Sequence, residues 1–350
     1  MRRSRLFALA AAVLAASALA AVAAVSTGPA HAAAQATPIK VGLVTDIGGL
    51  NDRSFNYLAN KGAQTAARDY GVGLRVLTSK SNADYIPNLS SLARQGYKLV
   101  IGVGFLMADA IDTVASKFPK TDFAIIDVDV HGLKHHPKNV RGLLFREQEA
   151  GYLAGYAAGL WLKTHPVQGQ MVASTVGGQK IPPVDRYIAG FQYGVKKSNP
   201  RATLLNGYSQ DFVAQDKCKE IALNQIANNS GVVFQVAGAC GLGALDAAKE
   251  KGVMGIGVDA DQHYLGAHIL TSALKRVDVA VLSTISAEVQ AKKAGKTFRG
   301  GFDAVFTARN GGIGFGAWSA KVGTAIRKAV NSQLIQLKLG KVKGIPATVK

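Results

Sequence analysis

The amino-acid sequence predicts an α/β protein built of two Rossmann-like lobes with a ligand cleft between them. Three observations predict this fold. The chain of 350 residues is longer than one ordinary hydrophobic core supports. Short β-branched runs alternate with helical patterns, at the spacing of a parallel sheet with right-handed crossovers. The alternation then restarts after the middle of the chain, which indicates a second lobe.

The first strand, turn and helix predict where a ligand binds. Residues 39–45 (IKVGLVT) are typical of a buried parallel strand. The strand breaks at Asp46 into a glycine turn, and a helical pattern follows Asn51 and Asp52, which are good helix N-caps. That order puts Asp46, Asn51 and Phe55 at the carboxyl edge of a sheet, where open α/β sheets bind ligands.

The remaining elements follow in two series. Further strands of the first series are predicted at residues 74–78, 99–103, 123–127 and 140–145. Strands of the second series are predicted at residues 170–174, 202–208, 232–236, 254–259 and 268–272. A long helix over residues 277–294, a glycine-rich stretch at 310–316 and a final helix over 317–332 complete the prediction.

A helix rich in small residues joins the two series at residues 147–161. It carries Gly151, Gly155 and Gly159, and Gly-x-x-x-Gly is a dimerisation pattern in membrane helices. The apolar part is too short to span a bilayer. We therefore expect close helix packing at a lobe boundary. The predicted first lobe comprises residues 40–147 and about 262–298, and the second comprises about 148–261 and 299–345.

The first 32 residues have the pattern of a secretory signal peptide. Arginines at positions 2, 3 and 5 precede an alanine-rich apolar run, and Ala30-His31-Ala32 is a small-x-small cleavage site. An uncleaved N-terminal anchor is the alternative. No cysteine lies near the cleavage site to carry a lipid. We therefore expect a secreted or periplasmic protein that is soluble after cleavage.

The net charge is strongly positive. The formal charge is +19, and removing the predicted signal removes three arginines and no acidic residue, which leaves +16. A balance this basic is also typical of nucleic-acid-binding proteins. The lysines and arginines are spread along the chain, however, and no motif interleaves them with aromatic residues. We expect a cationic surface that attracts anionic cell envelope or ligand, and no nucleic-acid partner.

Side chains that hydrogen-bond or stack follow many of the predicted strands. If the strands are parallel, all of these side chains face one cleft. A carboxylate accepts hydrogen bonds from two vicinal hydroxyls, and phenylalanine faces sandwich a flat ring, so the set suits a nucleoside. The candidate ligand-binding residues are Asp46, Asn51, Phe55, Phe105, Asp127, Phe212, Gly238, Asp259 and Lys275.

Structural roles are the alternative for several of these residues. Asp46 and Asp52 are also suited to capping the first helix. Asp127 and Asp259 are also suited to a structural salt bridge with Lys275. The phenylalanines at positions 55, 105 and 212 are also suited to the core.

Three blocks of the sequence carry a family likeness. They are TDIGGLNDRSFN, GVGFLMADAI with FPKTDFAIID, and VFQVAGACGLGALDAAKEKGVMGIGVDADQ with ILTSALKRVD. They resemble the basic membrane protein family of solute-binding proteins, whose members include purine nucleoside receptors of ABC transporters. The resemblance runs from about residue 40 to the C-terminus. It implies a periplasmic-binding-protein type I fold with three crossovers, and delivery of a nucleoside to a membrane permease.

The resemblance also implies roles for individual residues. Asp46, Asn51 and Phe55 would hold the base by its edge and by stacking, and Phe212 looks like the second stacking face. Asp127 would lie near the base. The residues that look like sugar contacts are Asp259 and Lys275, with backbone groups of Gly238 beside them.

Two departures from the family pattern concern cysteine. Relatives tend to be lipoproteins, whereas this chain is expected to be free. Relatives also tend to have Thr and Gly where this chain has Cys240 and Cys218. The resemblance places both cysteines at the same sheet edge, which predicts a Cys218–Cys240 disulfide. In the chain-entropy account, closing a loop of about 23 residues stabilises the protein by roughly 3 kcal/mol.

Other functional classes lack their signatures. A dehydrogenase needs G-x-G-x-x-G after the first strand, and a hydrolase needs a nucleophile motif or grouped acids. Neither is present, and a signal peptide occupies the place of a regulator's DNA-binding domain. His131, His135 and His136 fall in a loop beside Pro137, so we expect no metal site and no cofactor. We predict a monomeric, non-enzymatic nucleoside-binding protein. Alternatives are a binder of another polar solute and a nucleoside-processing enzyme.

Overall fold

The computed structural model describes residues 38–349, so the predicted signal peptide at residues 1–32 lies outside the described residues. The strands of this range are β1 (Lys40–Val44), β2 (Gly73–Leu77), β3 (Leu99–Gly102), β4 (Asp122–Ile126), β5 (Val140–Phe145), β6 (Val172–Gly177), β7 (Thr203–Tyr208), β8 (Ser230–Val236), β9 (Met254–Asp259), β10 (Ile269–Lys275), β11 (Phe302–Phe306) and β12 (Ile313–Phe315). Its α-helices are α1 (Phe55–Tyr70), α2 (Tyr85–Arg94), α3 (Ala108–Lys117), α4 (Glu147–Thr164), α5 (Pro182–Ser198), α6 (Gln215–Ala227), α7 (Gly241–Glu250), α8 (Val277–Lys293) and α9 (Thr324–Lys338).

The strands form two six-stranded sheets of the same order. The first sheet runs β11-β5-β4-β3-β1-β2 and the second runs β12-β10-β9-β8-β6-β7. All pairs are parallel except β10 and β12, which are antiparallel. The central strands β3, β4 and β9 are buried along their whole length, because a parallel sheet is covered by helices on both faces. The predicted two-lobed α/β fold is confirmed.

The chain crosses between the lobes three times. The crossings follow β5, β10 and β11, since β6 and β12 belong to the second sheet and β11 to the first. The lobes also exchange helices at these crossings. Helix α4 leaves the first sheet and packs against α5, while α8 leaves the second sheet and packs against α1. The expected three crossovers of the type I fold are therefore present.

Glycines allow helices α4 and α5 to pack backbone to backbone. A Cβ added at Gly151 would lie 2.1 Å from the carbonyl oxygen of Tyr187, and one at Gly155 would lie 2.0 Å from that of Phe191. Contacts this short are forbidden, so larger residues would push the helices apart. The predicted close-packing role of the Gly-x-x-x-Gly pattern is confirmed. No helix within residues 38–349 is long and apolar enough to cross a bilayer.

The structure differs from the expected lobe boundaries near the C-terminus. Strand β10 belongs to the second sheet and β11 to the first, whereas residues 262–298 were expected in the first lobe and 299–345 in the second. The reason is that the second crossing follows β10 instead of preceding it. Strands β11 and β12 were not predicted, because β11 is only half-buried and β12 has three residues in a glycine-rich stretch. The final helix begins at Thr324, after Gly323, and not at residue 317.

Candidate functional site

A cavity lies between the carboxyl edges of the two sheets. It encloses about 590 Å³ of space free of protein atoms, a figure that includes the open space at its mouth. Both lobes line it. Eight of the nine candidate residues lie on its wall: Asp46, Phe55, Phe105, Asp127, Phe212, Gly238, Asp259 and Lys275.

Asn51 is the candidate that the structure places elsewhere. Its side chain is exposed and lines a separate groove with Leu242 and Lys249. It lies in the turn between β1 and α1, on the side that faces away from the cavity lining. The amide that contacts Asp46 is instead Asn56, which lines the cavity from the first turn of α1. Asn56, five residues later, therefore occupies the place beside Asp46 that was expected of Asn51.

Asp46 forms the polar end of the first lobe's wall. Its Oδ1 accepts hydrogen bonds from Asn56 Nδ2 at 2.7 Å and from the Gly48 amide at 2.9 Å. Its Oδ2 faces Gly104, where an added Cβ would come within 2.8 Å. Burial raises the pKa of Asp46 to about 6. The side chain therefore changes protonation state just below neutral pH.

Asp52 holds Asn56 in place, and both of its carboxylate oxygens accept hydrogen bonds from within the protein. Its Oδ2 accepts from the Asn56 backbone at 2.7 Å and from Asn56 Nδ2 at 3.1 Å. Its Oδ1 accepts from the amides of Ser54 and Tyr57, both at 3.0 Å. These bonds satisfy the free N–H groups of the first helical turn. The capping alternative is thus correct for Asp52, whereas Asp46 bonds to the helix through Asn56.

Aromatic side chains from both lobes face the cavity. Phe55 begins α1, and Phe105 lies in a single helical turn after β3. Phe212 comes from the second lobe, in the loop between β7 and α6, and its ring lies over Gly178, where an added Cβ would come within 2.3 Å. All three are only partly buried, unlike core phenylalanines. They are therefore available to contact a bound molecule.

Lys275, at the end of β10, ties the lobes together at the floor of the cavity. Its Nζ lies 2.7 Å from each Asp127 carboxylate oxygen and 3.0 Å from Glu147 Oε1. The rings of Phe55 and Phe145 lie 4.9 Å from the same nitrogen. Burial lowers the pKa of Lys275, but the surrounding carboxylates outweigh it, so the net direction is upward. The ammonium group stays charged. The salt-bridge alternative is therefore observed for Asp127.

Asp259 has a different set of partners. Its Oδ1 accepts from the Tyr187 hydroxyl at 3.0 Å, and its Oδ2 accepts from the Ser54 hydroxyl at 2.9 Å. Ser54 belongs to the first lobe, so this second bond also joins the lobes. Tyr187, on α5, and Glu147 were not among the sequence candidates. Tyr187 lies inside a predicted helix, where no strand end marks it, whereas Glu147 begins a predicted helix two residues after a predicted strand.

Asp127 and Asp259 occupy equivalent places at the ends of β4 and β9, each third in its sheet. Both have positive φ, 71° and 59° respectively. Such left-handed conformations are uncommon outside glycine, and in a well-packed protein they concentrate at ligand sites. The same backbone conformation in the two lobes therefore places both carboxylates on the wall of the cavity.

The predicted disulfide is confirmed, and it lies behind the Phe212 wall. Cys218 of α6 and Cys240, which precedes α7, are bonded and both are fully buried. The Cys240 amide donates to the Phe212 carbonyl oxygen at 3.1 Å. Gly238 has φ of 56°, and a Cβ there would lie 3.4 Å from the same oxygen. The disulfide therefore fixes the loop that carries the ring.

The histidine loop lies apart from this cavity. His135 Nδ1 is 2.7 Å from Asp112 Oδ2. Among the described residues, one group has ligand atoms close enough for a metal ion: Asp129, His131 and Asp303, within 4.8 Å of one another. His131 and Asp129 are exposed. None of the three lines the cavity.

Two α/β lobes joined by three crossovers, with a polar and aromatic cavity between their carboxyl edges, define a solute-binding protein of the periplasmic type I class. A solved structure of an ABC transporter solute-binding protein from Aeropyrum pernix supports this class. It superposes with a TM-score of 0.77 at 28% identity, covering 88% of this chain and 94% of that chain.

The chain belongs to the Bmp family, whose model, described as "ABC transporter substrate-binding protein PnrA-like", matches residues 39–346. A relative from Listeria monocytogenes, named CD4+ T-cell-stimulating antigen, is 37% identical over 263 residues, covering 69% of this chain and 71% of the relative. A relative from Lactococcus lactis, named ABC transporter nucleoside-binding protein BmpA, is 32% identical over 317 residues, covering 84% and 86%. The resemblance seen in the sequence is confirmed. The family consists of transport proteins and not of enzymes.

Proposed function

We propose that this protein binds a nucleoside, with a purine base, between its lobes and delivers it to the permease of an ABC transporter. The observation that carries the proposal is the composition of the cavity wall. Partly exposed phenylalanines of both lobes share this wall with three buried carboxylates. Two of these, Asp46 and Asp127, come from the first lobe, and Asp259 comes from the second. The printed name of the Lactococcus lactis relative agrees with this ligand class.

The base would lie against the first lobe. Among the described residues, the hydrogen bonds to the Asp46 carboxylate go to Oδ1, so Oδ2 remains to accept an N–H of the base edge. Asn56 is fully committed to Asp46 and Asp52, and it therefore orients the acceptor and does not read the base. The rings of Phe55 and Phe212 would cover the base faces, since stacking suits any base.

The sugar would lie over the end of β9. Each oxygen of Asp259 accepts one hydrogen bond in this structure, and a carboxylate oxygen accepts two. Two vicinal hydroxyls can therefore complete the set, which is the geometry of a ribose. In the proposal Lys275 donates to a sugar oxygen while Asp127 and Glu147 hold its charge. Asp127 is then a base or sugar neighbour that acts mainly through Lys275, and Gly238 adds backbone groups beside the sugar.

The lobes would close around the ligand and open to release it. The bonds from Ser54 to Asp259 and from Lys275 to Asp127 both join the lobes, so they are made on closure. Closure excludes water, which strengthens the charge-assisted hydrogen bonds to the ligand. The closed form is the one that a permease would recognise.

In this proposal the protein is exported, carries no lipid anchor and is monomeric. Cleavage after residue 32 would release a soluble, extracytoplasmic protein, because the two cysteines of the chain form the internal disulfide and none is left to carry a lipid. A monomer with no nucleic-acid partner and no cofactor suffices, since one chain supplies both walls of the cavity.

Isothermal titration of the ligand-free protein with a panel of nucleosides tests the proposal. Purine ribonucleosides should bind more tightly than free purine bases or free ribose, because both halves of the site are then filled. Asp259→Asn should weaken ribonucleosides more than 2′-deoxyribonucleosides. Equal weakening would remove Asp259 as a reader of the sugar hydroxyls. Tighter binding of free sugars or amino acids than of any nucleoside would overturn the proposed ligand class.

A further inference from the structure

We propose that the amino edge of the first sheet is a cationic surface that binds the anionic phospholipid headgroups of a membrane. This edge is opposite the cavity, because the parallel strands start there and end at the cavity. Five neighbouring strands, β11-β5-β4-β3-β1, each have an exposed lysine or arginine within three residues of their start. In strand order these are Arg299, Lys138, Lys120, Lys98 and Lys40.

Hydrogen bonds join these strand starts into one continuous surface. The Lys98 amide donates to the Lys40 carbonyl oxygen, and the Asp122 amide donates to that of Lys98, both at 2.9 Å. On the other side the Arg141 guanidinium donates to the Arg299 carbonyl oxygen at 2.7 Å. Adjacent strands are about 4.8 Å apart, so the five starts span about 20 Å. A surface of this width can contact several headgroups at once.

The helices that cover the sheet add further positive charge at the same edge. Helix α3 ends at Lys117, and α8 ends at Lys293 and is followed by Lys296. The acidic residues do not balance them at the surface. Asp122 is buried and ion-paired with Lys98, and Glu288 is buried beneath the edge. Asp69, near the end of α1, is exposed and paired with Arg68. The exposed charge of this edge is therefore predominantly positive.

Helix dipoles do not explain this pattern. Lysines at helix C-termini are favoured by the helix macrodipole in any α/β protein. Strand starts have no comparable field, because sheets have only small net dipoles. The second sheet is the internal comparison, and its parallel strands have exposed cations within three residues of their start only at Arg201 and Lys251. The concentration of cations at strand starts is thus specific to the first lobe.

Membership of the family indicates that this protein works next to a membrane, and a membrane with anionic lipids is a polyanion. A substrate-binding protein of an ABC transporter must approach a permease that is embedded in a lipid bilayer. Each lysine or arginine held near an anionic lipid surface strengthens binding by about fivefold, and the attraction is screened by salt. The surface would keep the protein close to the membrane while the cavity, at the opposite edge, stays open to ligand.

Co-sedimentation with phospholipid vesicles tests this inference. The exported protein should sediment with vesicles of phosphatidylglycerol and phosphatidylcholine in equal parts, but not with phosphatidylcholine alone or at about 0.5 M salt. The variant Lys120→Glu/Lys138→Glu/Lys296→Glu should lose about a hundredfold or more of the binding, at about fivefold for each lysine. Its thermal unfolding and ligand affinity should stay unchanged, because these side chains are exposed and far from the cavity.

A matched variant of the second lobe distinguishes binding through this surface from binding through the overall positive charge of the protein. Lys163→Glu/Arg201→Glu/Lys251→Glu changes the net charge by the same amount and should keep nearly all of the binding. Equal loss in both variants would reduce the effect to overall charge and overturn the proposal. So would binding of the wild-type protein to soluble polyphosphate without any binding to vesicles, since the surface would then serve a free polyanion.

Discussion

Lys275 of the second lobe places its ammonium nitrogen 2.7 Å from both carboxylate oxygens of Asp127 in the first lobe. Both side chains are almost completely buried, and Glu147 lies 3.0 Å away on the other side of the ammonium group. Lys275 thus bridges two carboxylates at the point where the lobes meet, and Arg186 supplies the second positive charge through Glu147. The Lys275–Asp127 ion pair therefore contributes both to the stability of the folded protein and to the shape of the cavity floor.

Lys275→Met should destabilise the protein strongly. It leaves Asp127 and Glu147 buried, with Arg186 at 2.6 Å from Glu147 as the remaining cation. Removing one partner of a buried ion pair costs about 3–5 kcal/mol. Urea unfolding measures the change. Lys217→Met removes an exposed pair with Asp211 and should have no resolvable effect. Similar midpoints for the two variants would contradict the structural role given to Lys275.

Asp46→Asn should change how stability depends on pH. Burial raises the pKa of Asp46 to about 6 from 3.8 in the unfolded chain, so the folded state holds this proton more tightly. The resulting stabilisation is complete below about pH 4 and is lost as the pH rises through about 6. A shift of this size corresponds to about 3 kcal/mol. The wild-type protein should therefore lose stability across this range relative to Asp46→Asn.

Thermal unfolding between pH 4 and 8 measures that difference. Asp84→Asn is the control without a pH-dependent effect in this range, because backbone hydrogen bonds from Lys80 and Ser81 lower the pKa of the exposed Asp84, which is therefore ionised in both the folded and unfolded states above about pH 4. Parallel curves for the wild-type protein and Asp46→Asn would show that Asp46 is ionised over the whole range. Asp46→Asn should also bind ligand more weakly, since the asparagine is a poorer acceptor for the base edge.

Phe55→Ala and Phe212→Ala should each weaken nucleoside binding. Base stacking on an aromatic side chain contributes about 1–3 kcal/mol per base in single-strand-binding proteins. Tyr70→Ala removes an exposed ring at the far end of α1 and should leave the affinity unchanged. Titration calorimetry gives the dissociation constants. Full affinity in either phenylalanine variant would exclude that ring from the ligand contact.

Loss of the disulfide should reduce both stability and ligand affinity. The two cysteines are 22 residues apart, and opening a loop of this size costs roughly 3 kcal/mol in the entropy account. Cys218→Ala/Cys240→Ala also loosens the Phe212 loop, because residue 240, whose backbone amide donates to the Phe212 carbonyl oxygen, is then no longer tied to α6. Chemical unfolding and titration measure the two effects. The exported wild-type protein should show no reactive thiol, and labelled cysteines in the folded protein would contradict the pairing.

The sequence was sufficient for the two series of strands and for most of the cavity wall. Strand ends mark Asp46, Asp127, Asp259 and Lys275, because parallel strands bring their carboxyl ends to one edge. Which of Asn51 and Asn56 contacts Asp46 depends on which side of the turn faces the sheet. The hydrophobic periodicity of the sequence does not show the orientation of a turn. Glu147 begins α4, which crosses between the lobes, and Tyr187 lies on α5, against which α4 packs. Their approach to the cavity depends on crossings that sequence patterns do not locate.

Native mass spectrometry of the exported protein, purified without added ligand, tests nucleoside binding most directly. The wild-type protein should retain a mass equal to that of a purine nucleoside, and the Phe55→Ala/Phe212→Ala variant should lose it. A retained sugar, amino acid or peptide mass would contradict the account. So would a ligand-free protein that gains no mass when purine nucleosides are added.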